Sequence, residues 1–229
     1  MRSQEPTLPD EPSLARQLAL GRNLYTLAYT YADPLFPRQS PSGAAQILGN
    51  EIANPPARAS KEEIAFLKQR EKQIDSQLYL LPIASRQTDS TYLCDGFLTP
   101  VRIARKDSGL CVVFTGLVSN AAYDSYSHTA RMRAETVMQA LLLPCMKSLG
   151  MFAADTAFDY IGIAAYYPTT ANDSTADVPE MLMIVSPRAV CVKFSQEEIT
   201  EDELLDRSDV FMADIDTPSD VRKIKIELQ

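Results

Sequence analysis

The sequence predicts an α+β protein: a mixed, mainly antiparallel sheet of about six to eight strands, one long central helix packed on one face, and an N-terminal helical layer. Three observations carry this expectation. Apolar residues over about 126–149 recur at a helical period, residues 13–75 show helical patterns only, and beyond residue 75 the period shortens to that of strands. The chain then divides into an extended lead-in over 1–12, a helical N-terminal layer or subdomain over 13–75, and an α+β domain over 76–229.

The central helix is the best-marked element. Ala130, Ala134, Val137, Met138, Leu141, Leu142, Cys145 and Leu149 share one side, while Arg133, Thr136, Gln139 and Lys147 lie mostly on the other. Asp124, Ser125 and Ser127 offer side-chain oxygens to the amides at its start, and Gly150 suits its end. Pro144 removes the hydrogen bond to Ala140, which predicts a kink.

Residues 4–12 carry three prolines and three acids, as an extended segment does. Over 13–32, Leu14, Leu18, Tyr25 and Ala28 define a helix face that Leu20, Leu24 and Leu27 broaden. Pro34, Pro37 and Pro41 mark a connector, and 43–52 fits a short helix. Ser60 and Glu63 match a capping box, opening a surface helix to about residue 75 with Ile64, Leu67 and Ile74 inward.

Strands are predicted near 79–83, 91–98, 101–106 and 110–118, with Asp107-Ser108-Gly109 turning the last two into a hairpin. Residues 158–167 suit a strand, 168–178 an exposed loop, and the apolar run 181–185 an interior strand. The segment 187–194 fits helix or strand, since Pro187 favours a helix start and Val190 and Val192 favour a strand. Two further capping boxes are predicted at Ser195–Glu198 and Thr200–Glu203. Residues 210–215 and 223–228 read as closing strands, the last with one polar face, as at an edge.

Composition excludes several function classes. With 22 basic and 30 acidic residues the net charge is -8, which repels phosphate backbones, so no nucleic-acid partner is expected. No run approaches the roughly 20 apolar residues of a membrane span. Met1-Arg2-Ser3 has no apolar segment behind it, so no signal peptide is expected; the start fits a cytoplasmic protein and the mature form of an exported one alike. Cys94, Cys111, Cys145 and Cys191 show no metal-like spacing, so no metal is expected; their even count permits two disulfides, but each sits in an apolar segment, so buried thiols are the expectation. The glycine fingerprints of dinucleotide and nucleotide sites and the G-x-S-x-G elbow are absent, so no cofactor is implied.

The candidate site is the start of the central helix. His128, the only histidine, stands there with Arg131 and Arg133 near the amides of the first turn, a pattern suited to an anion. The plainer account pairs the arginines with Asp124 or Glu135. Acids from Glu197 to Asp216 read as a solvated face, and Tyr25, Tyr29, Tyr31, Tyr166 and Tyr167 as core or as the lining of a groove. The expected function is a non-catalytic binding or interaction protein, its partner an unknown protein or a small anionic ligand. The alternative is a hydrolase or transferase with its site near the start of the 126–149 helix, marked by an acid such as Asp95 or Asp159 beside His128.

Overall fold

Strand-forming residues collect beyond residue 90 and build one sheet. The computed structural model describes residues 6–30, 40–85, 91–92, 99–119, 123–125, 127–154, 157–170, 178–214 and 220–228, with the backbone alone at 21–30, 91, 123, 124, 170 and 178. Within them the strands are β1 (Thr91–Tyr92), β2 (Val101–Lys106), β3 (Gly109–Val118), β4 (Tyr123–Asp124), β5 (Tyr160–Thr170), β6 (Val178–Pro187), β7 (Asp209–Ala213) and β8 (Arg222–Ile224). Their order is β1-β3-β5-β6-β7-β8, with β2 also beside β3 and β4 beside β5. β3 and β4 run parallel to β5, and every other pairing is antiparallel, so the sheet is mixed and mainly antiparallel as predicted.

Parallel neighbours need a crossover, and the predicted central helix supplies it between β3 and β5. It comprises α4 (Ala130–Val137), a wider π turn (Met138–Leu142) and α5 (Leu143–Phe152). The wide turn answers Pro144: without a proline N–H for Ala140, the backbone shifts register and the Leu143 N–H reaches Met138 O. Both ends differ from expectation. Thr129 caps the start, its hydroxyl accepting Met132 N–H at 3.3 Å, and the helix runs past Gly150 to Phe152. Gly150 is kept small by packing: a Cβ there would lie 2.0 Å from the Ser195 Cβ on α6 (Arg188–Ser195).

The inward side chains of this helix meet Val112, Phe114, Ile161, Ile163, Leu182 and Ile184 on one sheet face. The same core takes in α2 (Pro41–Ala53) and α3 (Lys61–Ala84) through Leu48, Phe66, Leu67, Ile74, Leu78 and Leu81. The opposite face, with Val113, Ala164, Met183, Val185 and Phe211, is covered by Leu14, Ala15, Leu18 and Ala19 of α1 (Glu11–Thr30). The helices before residue 85 therefore sit on both faces of the sheet. The start of α1 is fastened by charge: Lys106 on β2 bonds Glu11 at 2.7 Å and also Asp209 on β7, while Lys223 reaches Asp209 at 2.5 Å.

Local signals were overruled in three places. Residues 79–83, predicted as a strand, complete α3, because Leu78 and Leu81 continue the buried stripe of Leu67 and Ile74 while Tyr79 and Ile83 face solvent. Pro82 in that last turn leaves Leu78 O without its helical donor, and the buried Tyr92 hydroxyl donates to it at 2.7 Å. At the predicted capping box, Ser60 accepts the Glu63 N–H at 3.0 Å, but the Glu63 carboxylate turns to Arg102 Nε (2.9 Å) and Ile103 N–H (3.1 Å). Ser195, predicted to open a helix, closes one, its hydroxyl donating to Val192 O at 2.7 Å.

Other expectations hold in part: α1 begins at Glu11 inside the predicted lead-in, 168–170 and 178 of the predicted loop belong to β5 and β6, and β8 takes up only the start of the predicted 223–228 strand. Thr200 and Glu203 form the full reciprocal box of α7 (Glu201–Asp206), and 187–194 resolves as the helix α6. β6 lies mid-sheet between β5 and β7, and β8 is a short edge strand. Cys111, Cys145 and Cys191 are buried thiols, while Cys94, most of the predicted 91–98 strand and positions 171–177 of the predicted loop lie outside the described residues. Among the described residues no helix is long and apolar enough to cross a membrane.

Candidate functional site at the start of the crossover helix

The topology brings the ends of five strands and the start of α4 to one end of the sheet. β3 and β5 end there, β6 and β8 begin there, β7 ends there, and α4 starts above them. Side chains that a helical wheel spreads over different faces are thereby brought into one neighbourhood. Arg133, on the predicted polar side, turns inward instead. Its Nε donates to Glu180 Oε2 at 3.0 Å, its Nη2 to Glu180 Oε1 at 2.5 Å, and its Nη1 to His128 O at 2.5 Å. The two side chains retain only 3% and 0% of their exposure, so each charge depends on the other for compensation.

Beside this pair lies Tyr167, wholly buried, whose phenol is pushed well above its ordinary range by burial and then by the Glu180 charge, against Arg133. Tyr166, its neighbour in β5, points to the opposite face and donates to Leu18 O at 2.6 Å. The alternation of a strand therefore separates the two tyrosines, and no groove is lined by both. The side chains of Tyr25 and Tyr29, and Tyr31 itself, lie outside the described residues.

Arg131 points outward. Its Nε donates to Glu135 Oε1 at 2.8 Å and its Nη2 to Glu227 Oε2 at 3.1 Å, so the predicted pairing with Glu135 is present. It borders an open cleft of about 380 Å³ whose other walls are Met212, Arg222, Ile224 and Lys225. Arg222 is held by Asp214, a wholly buried carboxylate at the end of β7, and Lys225 meets Asp206 at 3.3 Å. Three cations and two apolar side chains thus share one recess. Arg133, two residues on and turned inward, braces the helix start rather than facing the cleft.

His128 is exposed, with Nδ1 2.9 Å from Ser127 Oγ. Asp159 stands at the start of β5, accepting Leu110 N–H at 3.0 Å, while β4 beside the helix start pairs with the end of the same strand. An eleven-residue strand is about 35 Å long, so Asp159 and His128 belong to opposite ends of the sheet. Asp95 lies outside the described residues. Among the described residues no three His, Cys, Asp or Glu side chains gather as a metal-binding group.

Sequence reasoning missed Glu180, Asp214 and Arg222. A signal for the first existed: Glu180 is the one charge heading the apolar run of β6, and a buried acid demands a cation. Asp214, expected on a solvated acidic face, is wholly buried instead, and neither it nor Arg222 gave a signal, since they become partners only through the β7–β8 pairing. Compared with protein-family models, with curated proteins and with solved structures, the chain matches none.

Proposed function

We propose that this chain is a non-catalytic binding protein that holds a small, doubly charged anion in the cleft between the start of α4 and β8. The observation that supports this is the convergence of Arg131, Arg222 and Lys225 on one recess floored by Met212 and Ile224. Each cation already meets a carboxylate, and the exposure of those partners decides whether a ligand can compete. Glu227 and Asp206 keep 68% and 64% of their side-chain exposure, so releasing them costs only about 0–1 kcal/mol each, whereas Glu135, at 14%, keeps Arg131 Nε and leaves Nη2 for the ligand. Asp214 is fully buried and stays, fixing Arg222 at the cleft wall. A tetrahedral dianion such as phosphate can then bridge the two guanidinium groups, helped by the positive end of the α4 dipole.

With two charge-assisted contacts and open solvent around them, the dissociation constant should be on the order of a millimolar and should weaken with salt. Calorimetric titration with inorganic phosphate at low ionic strength tests this. The expected result is a saturating isotherm that Arg131→Ala abolishes without lowering stability. A flat titration through the millimolar range, or an unchanged isotherm for the variant, would overturn the proposal.

A second reading, a hydrolase or transferase, draws on the 2.9 Å contact between Ser127 Oγ and His128 Nδ1. A fluorophosphonate probe distinguishes it: labelling of Ser127 that disappears in His128→Ala favours an enzyme, and an unlabelled serine favours the binder.

A further inference from the structure

Away from the end of the sheet, the last turn of α2, the segment leading into α3 and Thr99 line a cleft of about 320 Å³, with Ile47, Asn50, Glu51, Asn54, Pro56 and Arg58 as its other walls; the Thr99 hydroxyl donates to Val101 O at 3.1 Å. Glu51 gives it chemical character. The carboxylate keeps only 7% of its exposure; Oε1 accepts Arg58 Nη1 at 3.1 Å, and Oε2 has no hydrogen-bond partner among the described residues. A buried carboxylate oxygen left unpaired is costly, and burial, with the Glu63 charge, pushes the Glu51 carboxyl above its usual range against Arg58, Arg102 and the Thr99 hydroxyl. The position adds to this, because Glu51 stands in the last turn of α2, at the negative end of the helix dipole.

The groups around the cleft are therefore rich in acceptors. They comprise Glu51 Oε2, the side-chain oxygens that Asn50 and Asn54 can present, and the carbonyls of the helix end. The one cation in the wall, Arg58, is already bonded to Glu51, and with 30% side-chain exposure its charge is partly screened by water. The neighbouring Glu63 and Arg102 neutralise each other at 2.9 Å. What complements such a lining is a group that only donates, and the compact group of that kind is an ammonium. Ile47 and Pro56 offer apolar surface for a carbon chain, and the volume lies at the small end of ligand sites.

We propose that this cleft binds a small aliphatic primary amine, its ammonium donating to Glu51 Oε2 and its carbon chain lying along Ile47 and Pro56. The site is separate from the anion cleft and does not depend on it. The test is an NMR titration of the full chain with n-butylammonium chloride, read on the side-chain amides of Asn50 and Asn54, with n-butanol and tetramethylammonium as controls. Butylammonium should shift both amides to saturation, whereas the alcohol lacks the charge and tetramethylammonium lacks the N–H, so neither should do so. Glu51→Gln should weaken binding by about tenfold or more, because a hydrogen bond to a charged group is lost. Unmoved amides, equal shifts from either control, or undiminished affinity in a folded Glu51→Gln variant would overturn it; should that variant not fold, the comparison of the three probes on the unaltered chain decides alone.

Discussion

Replacing Glu180 with glutamine tests the physical basis of the helix start. The substitution keeps the shape and removes the charge that the Arg133 guanidinium, 3% exposed, meets in two contacts. Two contacts of 3.0 and 2.5 Å weaken together, and a third, from Arg133 Nη1 to His128 O, remains as a neutral bond. Breaking one side of a buried pair costs about 3–5 kcal/mol. For a chain of this size each kcal/mol lowers the melting temperature by about 2–4 °C, so a fall of about 6–20 °C is expected. Urea unfolding followed by circular dichroism measures the loss, and the double variant Arg133→Met, Glu180→Leu should recover most of it, because no charge is then buried alone. A loss below about 1 kcal/mol for Glu180→Gln, or a double variant no better than the single, would refute the reasoning.

Further outcomes follow from other parts of the fold. Burial and a hydrogen bond with Asp209 raise Glu11, against Lys106, from the ordinary 4.5 to about 7, so the folded state keeps a proton that the unfolded chain has released between these values. Stability from Glu11 is then full below about pH 4.5 and lost as pH rises through about 7, so urea midpoints should fall across that window and Glu11→Gln should flatten the fall. Asp209 acts in the opposite sense: burial would raise it, but bonds with Glu11, Lys106 and Lys223 outweigh that and hold it below 3.8, so its contribution disappears only in stronger acid. Gly150→Ala, which would gain up to about 1 kcal/mol in an open helix, should instead lose about 1–3 kcal/mol through the clash with Ser195, and thermal melts give the sign. Burial pushes the Cys191 thiol up to about 12 and those of Cys111 and Cys145 higher, so all three should resist Ellman's reagent until the protein is unfolded.

The parts legible in the sequence were those decided locally. The 130–152 helix and the β2–β3 hairpin follow from periodicity and turn chemistry within about 20 neighbouring residues, and the run at 181–185 announced its interior place by having no polar side. What stayed hidden was decided by partners far along the chain. Arg133 and Glu180 are 47 residues apart, and nothing near either one indicates that the first turn of the helix passes over the head of β6. Glu63 left its capping role for Arg102, 39 residues away. Tyr79, Leu80 and Ile83 have side chains that suit strands, yet the stripe through Ile74, Leu78 and Leu81 buried more apolar surface as helix. The sequence groups His128, Arg131 and Arg133 at the helix start, but of these only Arg131 borders the cleft, and its opposite wall, Arg222 and Lys225, exists only once β8 is laid beside β7.

On the proposed function, the helix start and β8 present two guanidinium groups to one anion. Following the Nε–Hε resonances of Arg131 and Arg222 by NMR during addition of inorganic phosphate measures this at the atoms concerned. Both should move along a single saturation curve while Arg133, clamped by Glu180, stays fixed. If neither moves, or if each follows its own curve with exposed arginines elsewhere moving equally, the two do not form one site.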